Sequence, residues 1–207
     1  MNPATKQKGT PLSTWQRIER AHPHRVILTL FMVGSFLIFL FLMLALYFSY
    51  DPRGNYSLFL PKSFLASTAL LMSSGFVFDR SLRWLKQERF DKLLYTLLYT
   101  ALLAVLFVIL QVAGWSQLHG SGIFLNGKAS GAYLYLITGL HLIHLAMAIA
   151  WLGHTLFTVW PAAKDPVKQL IISTNPYQEI KLRMLISFWH FLSIVWVLLY
   201  LFFLYLF

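Results

Sequence analysis

The chain has no cysteine, which excludes disulfides, iron–sulfur clusters and thiolate metal sites. Acid is scarce as well, with seven Asp and Glu against 17 Lys and Arg. Charge of either sign is missing altogether from residues 26–50, 63–78, 93–127, 129–163 and 184–207. Within the expected spans the only carboxylate is Asp79, at a helix end beside Arg80 and Arg83. A self-contained proton or ion pump normally uses buried Asp or Glu, so its usual titratable groups are lacking. No internal repeat is found, so the inverted-repeat layout of many transporters has no support. There is also no phosphate-cradling pattern, and no loop long enough to form a soluble domain.

What the 207 residues do contain is apolar: 58% are hydrophobic, 12% are charged, and mean hydropathy is +0.64. Soluble domains run at about 45–50% apolar and about 25% charged. A membrane span needs roughly 20 apolar residues. Four of the uncharged stretches meet that outright. The second becomes long enough if Lys62 at one end and Asp79, Arg80 and Arg83 at the other extend toward headgroups. The expectation is an all-α membrane protein, a bundle of five transmembrane helices at about 26–49, 61–84, 93–115, 132–158 and 184–206. Residues 1–24 form a polar cytoplasmic tail, with an interfacial helix near 13–20, and 25–207 form the membrane domain. No cleavable signal peptide is expected, since the first span is too long and lacks a small-residue cleavage pattern.

Basic residues set the orientation. Lys6, Lys8, Arg17, Arg20 and Arg25 precede the first span. Arg80, Arg83, Lys86, Arg89 and Lys92 lie between the second and third, and Lys164, Lys168, Lys181 and Arg183 between the fourth and fifth. These three segments hold 14 of the 17 basic residues. The positive-inside rule places them, and the N-terminus, in the cytoplasm, with the C-terminus outside. The net charge of +10 is then a topology signal plus attraction to anionic lipid, and nucleic acid is not needed to explain it. Among the connections, "SYDPRGNYSLFLP" carries turn chemistry at Asp51-Pro52 and Gly54-Asn55. In "DRSLRWLKQERFDK", Asp79–Arg83 and Glu88–Lys92 have i,i+4 spacing. "HGSGIFLNGKASG" reads as an external loop and "WPAAKDPVKQLIISTNPYQ" as a cytoplasmic one.

Polar side chains inside a bilayer must find partners. In the fourth span His141, Ala148, His144, Trp151 and His154 fall within an arc of about 140°, at 100° per residue. Ala132, Gly139, Ala146, Ala150 and Gly153 line the opposite side, where small residues permit close helix approach. Both faces are therefore expected to pack inside the bundle. In the fifth span Trp189, His190, Ser193, Trp196 and Tyr200 share an arc of about 120°. The third span adds Gln111 and Trp115, and the second Ser67, Thr68, Ser73 and Ser74. His141, His144 and His190 are expected to join hydrogen bonds between the fourth and fifth spans and the second or third. The alternatives are a metal site, which lacks thiolates and intramembrane carboxylates to complete a ligand set, and a haem. A haem held by His141 or His144 would need His190 as its second ligand, because residues three apart cannot clamp one ring from both sides.

The motifs "TGLHLIH" (138–144) and "FWHFLSIVW" (188–196) resemble the paired signature of subunit III of haem-copper respiratory oxidases. In that family the pattern runs T-G-x-H-x-x-H, then W-H-F-x-x-x-x-W. Upstream, "LPKSFLASTALLMSSG" (60–75) resembles the family's Pro, Thr and Leu-Leu-x-Ser-Ser/Gly helix, and "LFVILQVAGW" (106–115) its L-x-x-Q helix. All four occur in family order and cover about 26–207. Many members have seven helices; this chain looks like the five-helix bacterial form. The resemblance implies a structural, non-catalytic subunit in a bacterial cytoplasmic membrane. Such a subunit packs on catalytic subunit I and other respiratory subunits, binds phospholipid, and supports proton uptake and stability of the oxygen-reducing complex. No cofactor is bound by the chain; haem and copper sit in partner subunits.

Thr68, Gln111, Thr138, His141, His144, Trp189, His190 and Trp196 would then be interhelical polar ties. Arg80, Arg83 and Lys86 are candidate lipid-headgroup contacts. Several family carboxylates are replaced here: by Ser35 in the first span, by Gly114 and Gln117 in the third, and by Ser193 after W-H-F. The family's lipid-contacting arginine falls near Thr158. Competing functions are an accessory subunit of nitric oxide reductase and, from another class, a bis-histidine haem electron carrier.

Overall fold

The structure is a computed structural model that describes residues 23–50, 61–125, 127 and 129–206. The expected helix near 13–20 and the turn at 51–55 lie outside the described residues. Among the described residues there are six helices and no strand: α1 (Pro23–Ser49), α2 (Lys62–Lys86), α3 (Phe90–Gly120), α4 (Ala129–Ala162), α5 (Pro166–Thr174) and α6 (Pro176–Leu206). Four of them, α1, α3, α4 and α6, are long and apolar enough to cross a membrane. Helix α2 has the length, since its 25 residues rise about 37 Å. Its composition falls short because it carries five serines, a threonine, Asp79, Arg80 and Arg83.

Local sequence explains where the helices break. Between α2 and α3 only residues 87–89 are non-helical, and Glu88 takes a left-handed φ of 56°. The Arg89 amide donates to Trp84 O at 3.0 Å and the Glu88 amide to Leu85 O at 3.1 Å. This paired closure ends a helix and reverses the chain. Helices α2 and α3 consequently form the most extensive pair in the fold. The 159–183 stretch, expected to be a loop, is largely helical. Asp165 accepts the Val167 amide at 2.9 Å ahead of Pro166, and Asn175 accepts the Tyr177 amide at 3.0 Å ahead of Pro176. An Asx residue followed by proline is a helix start, and here it occurs twice.

Helix α6 lies at the centre, burying Trp189, Leu192, Trp196, Leu199 and Phe203 against α2 and α4. Helix α1 is peripheral and buries only Ser35, Phe39 and Leu46. Large apolar side chains such as Phe41, Phe48, Phe76, Phe157 and Ile194 are exposed around the whole bundle. Apolar surface of that extent marks a partner or a membrane.

The two faces of α4 differ from the expected pattern. The histidine side is packed, except that His154 is exposed. The small-residue side is open: Ala146 and Ala150 are exposed, and nothing lies within 4 Å of a Cβ built on Gly153. An apolar groove of about 1100 Å³ runs there between α3 and α4, past Val112, Gly139 and Ile143. The other described helices pack on α4's opposite side, so among the described residues no helix fills the seam.

Candidate functional site

A polar seam joins α2 to α6. Trp196 Nε1 donates to Thr68 Oγ1 at 2.9 Å, and two turns away Trp189 Nε1 donates to Ser74 Oγ at 3.0 Å. Each hydroxyl in turn donates to its own helix, Thr68 to Phe64 O at 2.7 Å and Ser74 to Leu71 O at 2.6 Å. A hydroxyl has one proton and two lone pairs, so it can satisfy its own backbone and still receive an indole from the next helix. A third tie completes the row. His190 Nε2 donates to Asp79 Oδ1 at 2.6 Å, its ring lying close enough to Gly75 that a Cβ there would meet Cε1 at 3.3 Å.

Gln111 extends the seam to α3, donating from Nε2 to Ser67 Oγ at 2.7 Å. One turn on, Trp115 Nε1 donates to Thr138 Oγ1 on α4 at 3.0 Å, and Thr138 donates to Leu134 O at 2.7 Å. Tyr135, which the sequence did not single out, points its hydroxyl at the carbonyls of Ile123 (3.0 Å) and Trp115 (3.3 Å). Gly114, where the resemblance implies a carboxylate, faces the Phe64 and Ser63 side chains of α2. A Cβ there would collide with the Phe64 ring, which occupies the space that an acidic side chain would need.

The histidines of α4 part company. His144 Nδ1 lies 2.8 Å from Leu140 O, and Nε2 lies 3.0 Å from Ser35 Oγ on α1. A carbonyl only accepts, so Nδ1 carries a proton, and Nε2 shares a hydrogen bond with the Ser35 hydroxyl. Ser35, notable in the sequence only as a missing glutamate, is therefore the partner of His144. The expected tie to the second, third or fifth span is corrected to one with the first. His141 is fully buried, and neither ring nitrogen has a hydrogen-bond partner. Instead its ring packs among Trp196 (5.0 Å between centroids), Phe107 (6.0 Å) and Phe39 (6.3 Å). The expected hydrogen bond of His141 is not formed, because aromatic rings from three helices fill its surroundings.

The i,i+4 spacing of Asp79–Arg83 and Glu88–Lys92 is not used for pairing, and these side chains stand at exposed helix ends. Asp79 holds His190, and Lys92 lies 4.8 Å over the Trp84 ring. Arg80 and Arg83 are exposed, while Lys86 pairs with Glu179 at 3.3 Å. Thr158 on α4 donates to its own helix at His154 O.

Among the described residues no three His, Asp or Glu stand close enough to hold a metal ion. A haem clamp is also disfavoured by geometry: His144 and His190 have their Nε2 atoms engaged on Ser35 and Asp79. These side chains spend their hydrogen bonds on one another. Each such bond is worth about 0.6 kcal/mol on average in a membrane bundle, up to about 1.7.

The fold and its seam define a multi-pass helical membrane protein whose polar residues join helix to helix. No family model matches the chain. Curated relatives do. A "Probable quinol oxidase subunit 3" of Staphylococcus haemolyticus is 24% identical over 138 residues, 67% of this chain and 63% of the relative. Its Staphylococcus epidermidis counterpart is 21% identical over 133 residues, 64% of this chain and 61% of that one. A "Cytochrome c oxidase subunit 3" of Trichophyton rubrum is 27% identical over 136 residues, 66% of this chain and 46% of the relative. The chain thus spans about three fifths of the first two and under half of the third. The resemblance carried by the TGLHLIH and FWHFLSIVW motifs meets oxidase subunit 3 again in these relatives.

Proposed function

We propose that this chain is the non-catalytic subunit III of a haem-copper terminal oxidase. It packs against the catalytic subunit in a bacterial cytoplasmic membrane, binds phospholipid, and supports proton uptake and stability of a complex that reduces oxygen to water. The observation that carries the reading is the seam. The motif residues Thr68, Gln111, Thr138, Trp189, His190 and Trp196 are each engaged with a neighbouring helix, which is what a supporting subunit requires and a redox carrier does not. Relatives named subunit 3 of quinol and cytochrome c oxidases support it independently.

In this reading α2 is the fifth span. Its Ser67, Thr68 and Ser74 are engaged by α3 and α6, and Asp79, Arg80 and Arg83 sit toward the α2–α3 turn with the other basic residues. Five spans put the N-terminus in the cytoplasm and the C-terminus outside. The test is mass spectrometry of the complex after gentle detergent extraction. The chain is expected to leave the membrane with a haem- and copper-bearing subunit, and to show no Soret band when separated from it. A stable chain with no such partner, or one carrying its own haem, contradicts the proposal.

A further inference from the structure

The seam leaves unused a corner where α1, α2 and α6 meet. Arg25, Leu28, Thr29 and Met32 recur at i, i+3, i+4 and i+7, so they form one stripe of α1. That stripe lines a cavity of about 370 Å³ whose other walls are Leu82 of α2 and Arg183, Met184 and Ser187 of α6. Helices α1 and α6 run in the same direction here. His24 meets Tyr177 at 6.1 Å between ring centroids and, further along both, Phe31 meets Phe188 at 5.9 Å. The two arginines therefore stand at the same, outer end, and the thioether and leucine walls lie deeper.

The charge at that end is not balanced. Arg183 directs Nε and Nη2 to Glu179 Oε1, at 3.0 and 2.7 Å. Lys86 reaches the same oxygen at 3.3 Å. Arg25 makes no ion pair with a described carboxylate. Two cations thus share one carboxylate, Arg25 has none, and Arg183 Nη1 remains for another acceptor. Guanidinium groups match phosphate oxygens in charge and in planar geometry. A cationic mouth above an apolar slot matches a molecule with a phosphate head and an aliphatic tail.

We propose that this pocket binds one anionic phospholipid, its phosphodiester on Arg25 and Arg183 and an acyl chain along Leu28, Met32 and Met184. The assignment rests on reading the chain as a lipid-binding membrane subunit, and moves the headgroup site away from the exposed Arg80 and Arg83.

The experiment uses the full chain in bilayer discs of equimolar phosphatidylglycerol and phosphatidylcholine, with lipid retained after detergent transfer counted by native mass spectrometry. One phosphatidylglycerol is expected to stay bound while phosphatidylcholine is lost. Arg25→Gln lowers retention about tenfold, the effect of one charge-assisted contact. Met32→Trp fills the slot and lowers retention with both arginines intact, which keeps the test decisive if Arg25→Gln unfolds. Arg80→Gln leaves retention unchanged. Equal retention of the two lipids, or equal loss in Arg80→Gln, overturns the site. So does inorganic phosphate binding alike to the unaltered chain and to Met32→Trp without lipid retention, since that describes a small-anion site. Lipid retention reads on this chain and co-purification reads on its partner, so either result can fail without the other.

Discussion

His190 and Asp79 are 111 positions apart in sequence and 2.6 Å apart in space, joining the middle of α6 to the last third of α2. Both side chains are partly exposed, at 38% and 52%. Their contribution is therefore discounted for screening where water reaches them, and grows where lipid covers them. A double-mutant cycle over His190→Ala and Asp79→Ala, read by thermal unfolding of the purified chain in detergent, is expected to give a coupling of about 1 kcal/mol. Asp79→Asn keeps an acceptor oxygen and should lose less than Asp79→Leu. Equal losses in the two would mean that the hydrogen bond contributes nothing.

Two glycines predict opposite signs. At Gly114 a methyl group would collide with the Phe64 ring and also lie 2.9 Å from Ser63 Oγ. Gly114→Ala should destabilise by about 1–3 kcal/mol, as overpacking does. Gly153 has open space around it, and Gly153→Ala should stabilise by about 0.5–1 kcal/mol through helix propensity. Melting temperatures of the two variants, measured side by side, check the difference in sign.

Much of the helical layout was legible in the uncharged runs, because hydrocarbon permits no other use for 24 or more uncharged residues. The polar-aromatic stripe of α6 was legible too, since a helical wheel tells which residues share a direction. A wheel does not tell which helix stands opposite. For that reason the sequence shows Ser35 only as a position lacking a glutamate, and does not mark His190 as the partner of Asp79. The starts of α5 and α6 were written in Asp165-Pro166 and Asn175-Pro176, but the polar residues around them resembled a loop. The open side of α4 was beyond sequence, because small residues announce a close approach without saying whether the partner belongs to the same chain.

Thr68 and Ser74 each receive an indole from α6, so their removal should cost more than their size suggests. Thr68→Val keeps the shape and leaves Trp196 Nε1 buried without an acceptor, an expected loss of about 1–3 kcal/mol. Combining it with Trp196→Phe should recover part of that loss, because the orphaned donor is gone. Chemical denaturation in mixed micelles of the single and double variants tests the recovery. Additive losses would show that the hydroxyl and the indole act separately.

The two histidines of TGLHLIH should respond differently to the same change. His144→Leu breaks the contact with Ser35 and leaves that hydroxyl buried, at 4% exposure, with an expected cost of about 1–3 kcal/mol and loosened docking of α1. His141→Leu breaks no hydrogen bond and removes two desolvated ring nitrogens from a shell of Phe39, Phe107 and Trp196. The apolar side chain gains what the imidazole forfeits, while losing ring contacts worth about 0.5–1.5 kcal/mol per aromatic pair. The balance should lie near zero, well below the His144 loss. Thermal unfolding of both variants, with proteolysis of α1 as a local readout, distinguishes them. A large loss in His141→Leu with α1 still docked would mean that the buried imidazole has a partner in the membrane-embedded protein, and that TGLHLIH carries two polar ties instead of one.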